Sequence, residues 1–196
     1  MVRLLEKPLM KPLELSYNNF EYMCIPGFYL TKLEKIEMSE NGDIWIQASS
    51  STTQRIEQDN VGQVVLIDRN DGSSNVELDT STGMITVANE ADYLVVAAPQ
   101  VGRLNSGNVA NFRCWIRVNG VNVSDSNVLL NLESVNTKDV IVCQVLVHLS
   151  KGDSVEVMMA TDNSAAGVGI EALQPTPDEP MVPAIIFSLE ARYANK

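Results

Sequence analysis

Histidine is nearly absent from this 196-residue chain, with a single example, His148. A Ser-His-Asp triad or a typical zinc site needs histidine with partners at defined positions. His148 lies in VLVHLSKGD, in a strand just before a turn, and reads as structural. Cysteine is also scarce: Cys24, Cys114 and Cys143, an odd count with no CxxC pair. That excludes a disulfide framework and a cysteine zinc site. Cys114 and Cys143 sit in apolar runs, where a free cysteine acts as a small hydrophobe. A cross-strand bridge between them stays open if their strands are neighbours and the setting is oxidising. Positive charge is short as well, with Lys+Arg 14 against Asp+Glu 25 and a net charge of −11. The cations are scattered, which argues against a nucleic-acid partner. No apolar run nears the roughly 20 residues that span a bilayer, so no membrane partner is expected. Glu6, Lys7, Pro8, Lys11 and Pro12 interrupt the N-terminus where a signal peptide needs a continuous apolar stretch. Motifs are missing too: no GxSxG, HExxH or P-loop occurs. Gly167-Val168-Gly169 lacks the strand–helix context of a phosphate cradle.

What the chain does have is strand and turn signals. Residues 1 to 15 carry two Lys-Pro-Leu units, which favour extended backbone. Leu4, Leu5, Leu9 and Leu13, with Leu15, make this an apolar arm suited to lying on something else: its own domain, a sister subunit or another protein. Residues 30 to 40, LTKLEKIEMSE, fit neither helical nor strand period cleanly. Asp43–Gln47 alternates after Asn41-Gly42, and Ser49–Thr53 reads as a loop. Val64–Ile67 reads as a strand that Asp71-Gly72 ends.

From residue 80 onward, turn signals recur at the spacing of an all-β sandwich. Strands are expected over 84–87, 93–98, 112–118, 121–123, 128–132, 140–147, 154–159, 170–173 and 184–191. The economical reading is a two-sheet antiparallel jelly roll over residues 80–196, preceded by an arm and a small β-rich attachment region over 1–79.

Four stretches in order carry a resemblance: STGMITVANEADYLV (81–95), FRCWIRVNGVNVSDSNV (112–128), VLVHLSKGDSVEVMMATDNSAAGVGIEAL (145–173) and VPAIIFSLEARY (182–193). They resemble the trimeric jelly roll of the complement globular head and tumour necrosis factor, in its bacteriophage virion-protein form. The resemblance implies a non-enzymatic homotrimer that needs no cofactor. It implies a capsid decoration or cement protein, made in the host cytoplasm and carried on the virion surface. Its partners are then sister subunits and the major capsid protein or another virion protein, docked through the arm. No collagen-like Gly-x-y run precedes the domain, which points away from the animal extracellular members. A receptor-binding fibre tip that touches a host surface glycan is the first alternative; a carbohydrate-active jelly-roll enzyme is the second.

Residue patterns supply contact candidates. Alternation puts Phe112, Cys114, Ile116 and Val118 on one strand face and Trp115, between Arg113 and Arg117, on the other. Such a Trp fits a subunit interface, and equally a ring laid over the neighbouring strand of its own sheet. Phe187 and Tyr193 in the apolar final strand are further interface candidates. Asp125, Asp153, Asp162, Asp178 and Glu179 fall in loops; they suit calcium chemically but lack EF-hand spacing, so no metal site is assigned.

Overall fold

The computed structural model describes residues 43–192. The arm leucines Leu4, Leu5, Leu9 and Leu13, the 30–40 segment, Cys24 and Tyr193 lie outside them. Fifteen strands are described. In chain order they are β1 (Trp45–Ser50), β2 (Gln54–Arg55), β3 (Gln63–Val64), β4 (Arg69–Ser74), β5 (Val76–Asp79), β6 (Met84–Val87), β7 (Ala91–Gly102) and β8 (Ala110–Val118). Then follow β9 (Val121–Asn122), β10 (Val128–Leu132), β11 (Asp139–Val140), β12 (Cys143–Leu149), β13 (Ser154–Thr161), β14 (Gly169–Ile170) and β15 (Ile185–Arg192).

The strands form two antiparallel sheets. In the first, β7 pairs with β12 on one edge and β15 on the other, and the order continues to β1 and β4. The second runs β10-β8-β13-β6-β5. The chain crosses between sheets repeatedly, and β1 pairs with β15, so the first and last of the described strands are neighbours in one sheet. This is the expected all-β two-sheet jelly roll.

Its inner faces follow the period of two. Ile46, Ala48, Tyr93, Val95, Ala97, Phe187 and Leu189 point inward from one sheet. Ile85, Val87, Phe112, Cys114, Ile116, Val155 and Val157 meet them from the other. Full burial of each large side chain stabilises by about 1.5–3 kcal/mol.

Strand pairing runs across the expected boundary at residues 79/80. The segment from Trp45 to Asp79 supplies strands to both sheets: β1 and β4 to the first, β3 and β5 to the second. Ser49 and Ser50, expected in a loop, are buried at the end of β1, paired with Ile186 and Ile185. Arg69–Ser74, whose Asp71-Gly72 reads as a turn, is a strand beside β1, with a bulge at Gln47/Ala48.

Candidate functional surfaces

Three places gather unusual chemistry. The first is the outward face of β8. The alternation of that strand holds: Phe112, Cys114 and Ile116 are buried, while Arg113, Trp115 and Arg117 face out and are half-buried. Each is engaged by its own chain. Arg117 Nε pairs with Glu156 Oε2 at 2.8 Å, across the β8–β13 ladder. Arg113 donates through its guanidinium to Asn60 Oδ1 at 2.8 Å. Trp115 Nε1 donates to Asn122 Oδ1 at 2.7 Å, and the indole lies over Gly62 and beside Met158 of β13. A Cβ on Gly62 would stand 3.0 Å from the ring, so the absent side chain is what lets the loop close on the indole. The ring is therefore laid over its own sheet.

Around it is an open cavity of about 290 Å³, lined by Asn60, Gly62, Arg113, Trp115, Asn122 and Asn127, with Val123 and Ala160. Two loops wall it, each anchored. Asn60 holds a left-handed φ of 58° and donates its N–H to Thr161 O at 2.6 Å. On the other side Asp125 has φ 62°, and the buried Ser126 hydroxyl accepts from Ile116 N at 3.1 Å and donates to Val123 O at 2.8 Å. The polar run Ser124–Asn127 is thus a pinned turn with Ser126 inside and Asn127 outside.

The second place is the outward face of the first sheet. Leu146 stands opposite Leu94, Gln144 and Ser188 flank Val96, and Ile186 stands opposite Ala98. Leu146 is 64% exposed, Ile186 45% and Trp45 40%. Leu146, Leu94, Val96, Ala98 and Ile186 make an apolar stripe along β7 and its two neighbours, edged by Gln144, Ser188 and Glu190, where one solvated face of an antiparallel sheet would be polar. At its rim His148 pairs with Asp92 at 2.9 Å and Glu90 at 3.5 Å. The hydrogen bond to Asp92 above all, with both carboxylate charges, raises the imidazole pKa above its ordinary value.

The third is an ion cluster at one end of β7. Glu171 is buried, with Arg55 Nη2 at 2.6 Å from one carboxylate oxygen and Lys138 Nζ on the other. Arg55 also donates to Gly167 O at 3.0 Å. A Cβ on Gly102 would lie 2.6 Å from the Glu171 carboxylate, so glycine there makes room for the charge. Burial lowers the pKa of both cations, and the Arg55 charge lowers Lys138 further. A shallow cavity of about 340 Å³ adjoins Lys138, lined also by Gln100, Asp139 and Val140.

Phe187, expected at a subunit interface, is fully buried in its own core, because Ile185, Phe187 and Leu189 share the inward parity of β15. The outward residue is its neighbour Ile186. Cys114 and Cys143 are free thiols on facing strands of different sheets, so they are not cross-strand neighbours. Cys143 Sγ donates to Ser126 O at 2.9 Å, and the two thiols influence each other across the core. The Cys143 thiol, with burial, pushes Cys114 well up, while the Cys114 thiol lowers Cys143.

The loop carboxylates do not converge. Asp153 accepts from Ser150 in its own turn and from Asn119 of the neighbouring hairpin, and Asp162 accepts from Asn111 of β8. Among the described residues no group of three or more His, Cys, Asp or Glu is placed to hold a metal. Gly169 packs on the Gln54 backbone, and Gly167, at φ 64°, ends a short 3-10 turn. Glu171 carried no sequence signal, since its partners are 116 and 33 residues away. Asn60 and Asn127 were equally silent.

No family model matches the chain, and no curated protein does. Among solved structures it is similar to the globular domain of a zebrafish complement 1qA protein. The two share 16% identity and a TM-score of 0.47 over 79% of this chain and 100% of that one. The jelly-roll assignment above rests on strand order and pairing.

Proposed function

We propose that this chain is a non-enzymatic, homotrimeric structural protein of a bacteriophage virion, a decoration or cement protein on the capsid surface that docks through its N-terminal region. The supporting observation is the apolar stripe of Leu94, Val96, Ala98, Leu146 and Ile186 on the outward face of the first sheet. Exposed apolar area of this kind marks an interaction surface. A second copy of the chain is its occupant: one patch repeated around a threefold axis closes a ring and leaves no copy uncovered. The 81–95, 112–128, 145–173 and 182–193 resemblance supports the same assembly and supplies the virion setting.

Sedimentation at micromolar concentration tests it. The native chain should run as a trimer and Leu146→Glu/Ile186→Glu as a folded monomer. A monomeric native chain, or a trimer that survives both glutamates, sinks this assembly. Deleting residues 1–15 should leave the trimer and abolish particle binding. A deletion that instead dissociates the trimer identifies the arm as part of the subunit contact.

The second reading is a receptor-binding tip, favoured by the walled cavity beside Trp115, which faces away from the apolar stripe. Saturable adsorption of the purified protein to host cells supports it; none would leave the decoration role alone.

A further inference from the structure

The cavity on the outward face of β8 carries a more specific assignment. Its lining holds one indole, one guanidinium and three carboxamides, and no carboxylate. The indole cannot swing, because Nε1 is tied to Asn122 and the ring is set against Gly62 and Met158. Asn122 and Asn60 use their Oδ1 atoms on Trp115 and Arg113, which orients each Nδ2 as a remaining donor. Asn127 is exposed at the opposite lip and brings a donor and an acceptor. Arg113 donates through Nη2 to Asn60 Oδ1, and its buried Nε has no hydrogen-bond partner among the described residues. The site is thus polar, with one guanidinium whose hydrogen bond goes to a neutral carboxamide.

That chemistry fits one class of ligand. A ring whose edge carries neutral hydroxyls is met by fixed amide donors and acceptors, and its C–H face by an aromatic plane. A nucleic acid would need a basic surround, on a chain of net charge −11. The volume, about 290 Å³, is just below the roughly 300–1,000 Å³ of drug-sized ligand sites, which suits one sugar unit. Both walls are pinned before any ligand arrives, by Asn60 N–H to Thr161 O and by the buried Ser126 hydroxyl. Little ordering remains to be done on binding.

We infer that the cavity bounded by Asn60, Arg113, Trp115, Asn122 and Asn127 binds a neutral pyranose, as the terminal unit of a glycan. The assignment deepens the receptor-binding reading and rests on it for its setting. None of these residues lies on the apolar stripe, so site and assembly are separable.

The test is a fluorescence titration of the full-length chain carrying Trp45→Phe, which leaves Trp115 as the sole indole. Glucose, galactose, mannose, N-acetylglucosamine and N-acetylneuraminic acid are the probes. At least one neutral sugar should give a saturable change in Trp115 emission. Asn127 makes no hydrogen bond within the described residues, so Asn127→Ala keeps the fold and should weaken that binding about tenfold. Gly62→Val, which thrusts a side chain at the indole, should abolish it, with circular dichroism confirming the sheets. Saturation by N-acetylneuraminic acid alone, no saturable change with any sugar, or binding unmoved by Asn127→Ala overturns the site. Cell adsorption separates the two claims. Adsorption without sugar binding removes the site and leaves the receptor reading; sugar binding without adsorption does the reverse.

Discussion

Removing the Glu171 carboxylate would leave Arg55 and Lys138 charged and facing each other beside Gly102. Burial already lowers the pKa of both cations, so neither has solvation to fall back on in full. Losing one member of a fully buried pair costs about 3–5 kcal/mol. Arg55 and Lys138 keep side-chain exposures of 25% and 39%, which screens part of the repulsion. Glu171→Ala should therefore destabilise by about 2–3 kcal/mol, read from urea midpoints. Glu171→Ala/Lys138→Met should recover part of that, since one of the stranded charges is gone. An unchanged midpoint for the single variant would show that the cluster does no structural work. Nothing in the sequence marks Glu171: it sits in a short apolar run, and its partners come from β2 and the turn before β11. Trp115 is the converse. Its outward parity was readable from alternation, but whether it faced a partner or its own chain depended on Gly62, 53 positions earlier in the sequence and on no periodic pattern.

Hairpins are where local sequence decides most. Asn119 and Gly120 hold φ of 49° and 77°, as a type I′ turn requires. The structure adds a link between two turns that the sequence shows only separately. Asn119 Oδ1 accepts the Ser154 N–H at 2.9 Å, and its Nδ2 donates to Asp153 Oδ1 at 2.8 Å. The Asn-Gly turn and the Lys151–Asp153 turn thus lock each other at one end of the β8–β13 ladder. Asp153 has its pKa lowered, first by Asn119 and then by the Ser150 N–H. A depressed carboxylate adds stability above its unfolded value near 3.9 and loses it as pH falls through the folded value. Asn119→Ala should lower Tm at pH 7, and the gap from the native chain should narrow as pH drops below about 4. A gap that is constant with pH would mean that the Asp153 contact contributes nothing and only the turn conformation matters. By contrast, the β4 sequence RNDGSS has no apolar alternation at all. It is a strand because β1 offers it a free edge, a condition set by the fold and not by those six residues.

On the scale of the molecule, the order of strands after residue 80 was legible because Gly83, Asn119-Gly120 and Gly152-Asp153 punctuate it. Where the domain begins was not. The closing partner of the final strand is β1, and a pairing between residues 45–50 and 185–190 spans almost the whole chain. No local window carries it. The consequence is that the sandwich cannot be cut at residue 80. In such a fragment β15 would lose the strand on its outer edge, and the second sheet would lose β5 beside β6 and β3 beside β13. Core residues Ile46, Ala48, Val65, Ile67 and Val76 would go with them, each a buried side chain whose loss uncovers others. Removing even one large buried side chain costs about 2–5 kcal/mol against a total of about 5–15 kcal/mol for a domain. A chain starting at residue 80 should therefore show no cooperative thermal transition, while one starting at Ser39 should keep a β-rich far-ultraviolet spectrum and a sharp melt. A cooperative melt from the shorter chain would mean that residues 45–79 are an appendage, and that closure by β1 is dispensable to the jelly roll.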